Sequence, residues 1–140
     1  MKSKKRELEY ARTHFKEVHH TTLNPEGPGV VRIHLIPPKV EDDYIGPSIA
    51  IINGQDIIPV NPAWSILLTE FIEETNKYSG KEINEDDFKA ILKNVCKNTG
   101  KVYPMVPKSM FKKDLFRMMN TFKQVAYREE VDEEIGYMSI

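Results

Sequence analysis

The chain has 140 residues, with 20 Lys and Arg against 21 Asp and Glu, for a formal net charge of −1. That length supports one domain with a hydrophobic core and leaves too little for two. The near-neutral balance gives no overall bias toward nucleic acid or an anionic membrane. The single cysteine, Cys96, excludes an internal disulfide, and no apolar run approaches the roughly 18 residues of a membrane span. MKSKKRELEY is charged but leads into no apolar signal core. These features fit a reducing interior, and a cytoplasmic protein is expected.

Residues 3–20 read as a polar helix, because Leu8, Ala11, Phe15 and Val18 recur at helical spacing. Asn24-Pro25-Glu26-Gly27-Pro28-Gly29 is dense in breakers and reads as a linker. The expected division is therefore a helix and linker over 1–29 and a globular body over 30–140. Residues 30–36 read as a half-buried strand, with Val31, Ile33 and Leu35 on one face and Arg32 and His34 on the other. Pro37-Pro38 closes it, and residues 39–47 read as acidic and irregular.

The hairpin IAIINGQDIIPV follows. Asn53-Gly54 suits a type I′ turn, whose two central residues both need positive φ. A two-residue loop places Ile52 opposite Gln55, Ala50 opposite Ile57 and Ile49 opposite Ile58. Asp56 then shares a face with Ile49, Ile51 and Ile58. Asn61-Pro62 starts a helix, with Asn61 as cap and Pro62 at the tolerant first position. Its apolar face is Trp64, Leu67, Leu68, Phe71, Ile72 and Thr75; Glu70, Glu73, Glu74 and Lys77 take the other face, and Ser79-Gly80 ends it.

The next helix begins at Asn84, with Glu85, Asp86 and Asp87 suiting the positive end of its dipole. Phe88, Ile91, Leu92, Val95 and Cys96 form its apolar face, and Asn98-Thr99-Gly100 stops it. A third body helix covers 109–128, with a stripe of Phe111, Leu115, Met118, Met119, Phe122, Val125 and Ala126. Residues 135–140 fit a closing strand. The apolar ending EIGYMSI also fits a passage into a longer protein.

Nothing here spells out an active site. His14, His19 and His20 lack the spacing and companion ligands of a metal centre, and His34 reads as a surface residue. Cys96 reads as a buried structural thiol. Glu41-Asp42-Asp43 and Glu85-Asp86-Asp87 lack the alternating ligands of a calcium loop. There is no phosphate-binding glycine loop and no nucleophile triad, so an independent enzyme is not expected. Met105 and Phe116 fall off the helical stripes; they are candidates for an exposed, adaptable surface, and local packing is the first reading of both. Lys108, Lys112, Lys113 and Arg117 form a basic group where a winged-helix protein presents its recognition helix.

The order β-β-β-α-α-α, with the hairpin leading into NPAWSILLTEFI, resembles the PqqD-like fold, the RiPP recognition element. The texture through EEIGYMSI is also similar to the N-terminal region of radical SAM proteins. The resemblance implies an α+β fold: a three-stranded antiparallel sheet with the NG hairpin, packed on a winged-helix-like three-helix bundle, plus the N-terminal helix. It implies a non-catalytic accessory domain that binds a leader or substrate peptide, or positions its own downstream catalytic domain. The peptide would add to the strand over 55–60, touching Gln55, Asp56, Ile57 and Ile58, while Lys112, Lys113, Arg117 and Asn120 face its acidic residues. Pro59 limits such pairing. A [4Fe-4S] cluster and S-adenosylmethionine would belong to a following radical SAM domain, since one cysteine cannot ligate the cluster; no cofactor is expected in this chain. The alternatives are a DNA-binding winged helix and a small enzyme. Nucleic acid is disfavoured by the net charge, and no membrane partner is expected.

Overall fold

The computed structural model describes residues 2–15, 18–23, 30–78 and 81–138, with side chains for 4–15, 32–78, 81–122, 124 and 125. The fold is α+β. The elements run α1 (Lys2–His14), β1 (Val18–Leu23), β2 (Val30–Ile36), β3 (Val40–Glu41), β4 (Tyr44–Ile45), β5 (Ser48–Ile52), β6 (Asp56–Val60), α2 (Pro62–Asn76), α3 (Glu85–Val102) and α4 (Lys108–Met138).

The three expected strands form an antiparallel set, β2-β5-β6. The sheet also has a fourth strand, giving the order β1-β2-β5-β6. This corrects the first helix: it stops at His14, and residues 18–23 pair with β2, placing His19 opposite His34 and Val18 opposite Leu35. Val18 matched the helical spacing, but Val18, Thr21 and Thr22 are β-branched and favour extended backbone. The division expected at 29/30 falls between two paired strands; the linker at 24–29 lies outside the described residues. Residues 39–47 are also more regular than expected. Val40 pairs with Ile45 and Glu41 with Tyr44, and the Gly46 amide donates to the Lys39 carbonyl at 2.9 Å, so Asp42 and Asp43 form the tip of a small hairpin.

Every second residue of the central strands faces the helices. Ile33, Leu35, Ala50, Ile52 and Val60 join Ile66, Leu67, Leu68, Ile72, Ile91, Val95, Leu115, Met118 and Phe122 in one core. α4 packs against β2 and β5, while α3 packs against α2 and α4. Asn61 caps α2, its Oδ1 accepting from the Trp64 amide at 2.9 Å, and Asn84 with Asp87 forms a reciprocal capping box on α3.

α2 differs from the expected two-faced helix. Ser65 through Ile72 and Glu74 are all buried, because α2 is surrounded by other elements. Glu70 and Glu74 are therefore interior, not solvated. Tyr10 donates its hydroxyl to Glu70 Oε1 at 2.8 Å and Asn98 donates to Oε2 at 3.2 Å; Lys77 reaches Glu74 at 2.9 Å. The first of these bonds docks α1 on the body. α2 ends at Asn76, with Lys77 as C-cap, while the expected stop at Ser79-Gly80 lies outside the described residues. α3 runs past Gly100 to Val102. α4 continues to Met138, so residues 135–138 are helical and not a closing strand; between Arg128 and Ile135 no Pro or Gly interrupts propagation. Ser139 and Ile140 lie outside the described residues.

Candidate binding surface

The hairpin is where the structure sharpens the sequence most. Asn53 and Gly54 take positive φ, 52° and 75°, and the Gln55 amide donates to the Ile52 carbonyl at 3.1 Å, as a type I′ turn requires. Yet the ladder pairs Ile52 with Asp56, Ile51 with Ile57, Ala50 with Ile58 and Ile49 with Pro59. Gln55 and Asp56 thus both oppose Ile52, which is a β-bulge. The expected register was one residue off, and a slip of one exchanges the faces of a strand. Ile58 and Val60 turn toward the core; Ile57 and Pro59 turn away from it. Asp56 shares its face with Ala50 and Ile52, not with Ile49 and Ile51. Burial of Val60 beneath α2 explains the choice, since the two-residue register would have turned Val60 outward.

The same geometry fixes what the edge of β6 offers. The Asn53 amide donates to the Arg32 carbonyl at 2.9 Å, so Asn53, Ile51 and Ile49 turn their main-chain groups toward β2. Ile52, Ala50 and Ser48 turn theirs toward β6 and meet Asp56, Ile58 and Val60. Ile57 and Pro59 consequently point outward, to a side where no described strand pairs. Proline has no N–H to offer, so the edge presents one amide, that of Ile57, and the carbonyls of Ile57 and Pro59.

Of the residues singled out from sequence, Gln55 and Ile57 are exposed, while Asp56 and Ile58 are half-buried. Ile57 is 68% exposed, the largest value for any isoleucine described. Beside it on the outward face lie Ile49 and Ile51, half-buried, and Pro59, exposed. Ile49 and Ile51 were not singled out, although the alternation in SIAII carried the signal once the register was known; Pro59 was named for its limit on pairing. Lys112, Lys113, Arg117 and Asn120 are exposed on α4, with Asp114 at 3.9 Å from Arg117. α4 meets the sheet at β2 and β5.

The remaining candidates take ordinary places. Cys96 is buried, and burial pushes its thiol pKa up while Lys112 and Lys108 act against the rise. His14 stacks on Tyr10 with ring centroids 4.5 Å apart. His19 and His20 belong to β1 rather than to the first helix. Among the described residues no group of three or more His, Cys, Asp and Glu is placed to hold a metal, and no helix is long and apolar enough to cross a membrane. Burial and the Glu70 charge raise the Tyr10 pKa, and burial with Glu7 nearby does the same for Tyr103. No protein-family model, curated protein or solved structure matches the chain.

Proposed function

We propose that this domain is a non-catalytic binding module that takes an extended peptide along the edge of β6. The observation that carries the reading is Ile57: a two-thirds exposed isoleucine, with an outward amide and carbonyl, on an edge that no described strand pairs, beside Ile49, Ile51 and Pro59. An added strand gains main-chain hydrogen bonds at Ile57 and at the Pro59 carbonyl, and its alternate side chains cover the outward isoleucines. Pro59 keeps the pairing short, so side-chain contacts must supply much of the affinity. Acidic residues of the same peptide would meet Lys112, Lys113, Arg117 and Asn120. The peptide is a leader or substrate segment, or part of the protein's own catalytic domain. Under the radical SAM reading, the [4Fe-4S] cluster and S-adenosylmethionine belong to that other domain, and the compartment is the cytoplasm.

The test is an amide titration with acidic peptides encoded beside the gene. Binding should shift the amides of residues 55–58 and vanish in Ile57→Lys, with weak dependence on salt. Unmoved hairpin amides in the presence of those peptides would sink the proposal.

A further inference from the structure

Away from β6, the charge of the chain is strongly segregated. Residues 88–113 carry seven lysines, at 89, 93, 97, 101, 108, 112 and 113, and no Asp or Glu. All seven are exposed. They lie on α3, on the first turns of α4, and on the two sides of the turn that joins them. Lys89, Lys93, Lys97 and Lys101 recur every four residues along one exposed side of α3. Lys108 and Lys112 come alongside from α4, close enough for their charges to act on Cys96. Acidic residues close the stretch at both ends: Glu85, Asp86 and Asp87 before it, with Glu85 against Lys89 at 3.8 Å, and Asp114 after it, against Arg117.

The turn at the end of this basic hairpin is apolar and firmly built. Tyr103 is buried at its base, packed on Phe111 with centroids 6.3 Å apart. The Val106 amide donates to the Tyr103 carbonyl at 3.1 Å, closing a turn with Pro104 and Met105 at its centre. Met105 is 90% exposed, which corrects its expected local packing, and Val106 and Met110 are exposed beside it. Phe116, 46% exposed, leans toward Phe88 with centroids 6.4 Å apart. Lys101 and Lys108 flank the tip.

We propose that the α3–α4 hairpin docks on an anionic lipid surface, with Met105 and Val106 entering the headgroup boundary and the lysines holding lipid phosphates. Both halves of the device are needed. Lysines near an anionic bilayer each contribute about 1 kcal/mol, within a Debye length of its surface. An apolar tip raised on a buried aromatic base has no use in phosphate neutralisation alone, but it gains free energy by leaving water at the acyl boundary. Net charge −1 concealed this surface, because the acidic excess lies elsewhere in the chain.

Cosedimentation of the whole chain tests it, with vesicles of pure phosphatidylcholine and of phosphatidylcholine mixed with phosphatidylglycerol. Binding should require phosphatidylglycerol and weaken with salt. Lys97→Glu combined with Lys101→Glu should weaken it by roughly tenfold or more. Met105→Asp, at an exposed site that leaves the thermal midpoint unchanged, should weaken it by at least about tenfold. Ile57→Lys should leave it untouched, which separates this surface from the β6 edge, although Lys112 and Lys113 serve both proposals. Equal binding to both vesicle types, or binding indifferent to Met105→Asp, would overturn the proposal. So would duplex DNA held equally well by the parent chain and Met105→Asp, which would make the lysines a nucleic-acid surface.

Discussion

Ile51 and Ile52 are neighbours on β5, yet Ile52 lies among the helices, fully shielded, while Ile51 is half-buried on the face turned away. Ile58 and Ile57 repeat the contrast on β6, where Ile57 is largely in water. Composition does not distinguish the faces, since isoleucine occupies both. The covered face is made by packing against α2 and α4. The other face carries Arg32 and His34 on β2 and, on β5 and β6, an apolar patch of Ile49, Ile51, Ile57 and Pro59, and an exposed apolar patch is generally kept for something that binds. If the contrast is real, equal truncations on the two faces must differ sharply in their effect on stability.

The largest difference should come from Ile52→Ala. The side chain is enclosed by the core, and its removal leaves a cavity as well as losing transfer free energy, costing about 2–5 kcal/mol. Ile51→Ala should cost clearly less. Urea unfolding of the two variants checks this, and equal losses would mean that the outward face is as tightly packed as the inward one.

The covered side also has a polar seam, where α1 docks through Tyr10 and Glu70. Tyr10→Phe leaves one buried Glu70 oxygen without its donor, at a cost of about 1–3 kcal/mol. The seam has a pH signature. Folding raises the pKa of Tyr10 and Tyr103 above the ordinary tyrosine value of about 10. Their contribution is complete below that value. Above it the unfolded chain loses protons that the folded chain keeps, so stability falls by up to about 1.4 kcal/mol per pH unit for each phenol. Denaturation between pH 9 and 11 should show that fall, and Tyr10→Phe should make it shallower. An unchanged slope in the variant would mean that Tyr10 is open to solvent.

The bulge is what assigns each residue to a face, and deleting Gln55 tests it. Ile52 then faces Asp56 across a two-residue loop, and every pair beyond is preserved. The deletion should cost no more than about 1 kcal/mol, because Asn53-Gly54 already suits the shorter loop. Collapse on deletion would show that the extra residue does more than set the register. The slow-exchanging amides of β5 and β6 should stay the same in both forms.

Much of this was legible in the sequence, for reasons that are local. Asn53-Gly54 fixes a turn by its φ requirements, and Asn61-Pro62 and Asn84 fix helix starts by capping. The stripes of α3 and α4 follow from period alone. The misses are tertiary. A bulge depends on which register buries Val60, a tertiary preference that overrides the two-residue loop Asn53-Gly54 suits. The interior place of Glu70 depends on Tyr10, sixty residues away. β1 has no clear alternation, and its pairing with β2 is a long-range fact. For the candidate surface, the edge strand and basic helix could be named from sequence, and alternation joins Pro59 to Ile57, but Ile49 and Ile51 could be joined to them only through the ladder.

The smallest effect on stability, and the most informative about the outward face, should come from Ile57→Thr. Threonine keeps the β-branched shape that suits a strand and removes apolar area that folding does not bury. Unfolding free energy should stay within about 0.5 kcal/mol of the parent. Peptide binding at the β6 edge should weaken even so, because the added strand would lose the side chain it packs on while keeping the Ile57 position's main-chain bonds. Thr at position 57 therefore separates the two sources of affinity: a modest loss means that the backbone edge dominates, and a loss as large as that from Ile57→Lys means that the isoleucine surface does. A destabilisation approaching that of Ile52→Ala would erase the distinction between the faces and with it the case for a binding edge.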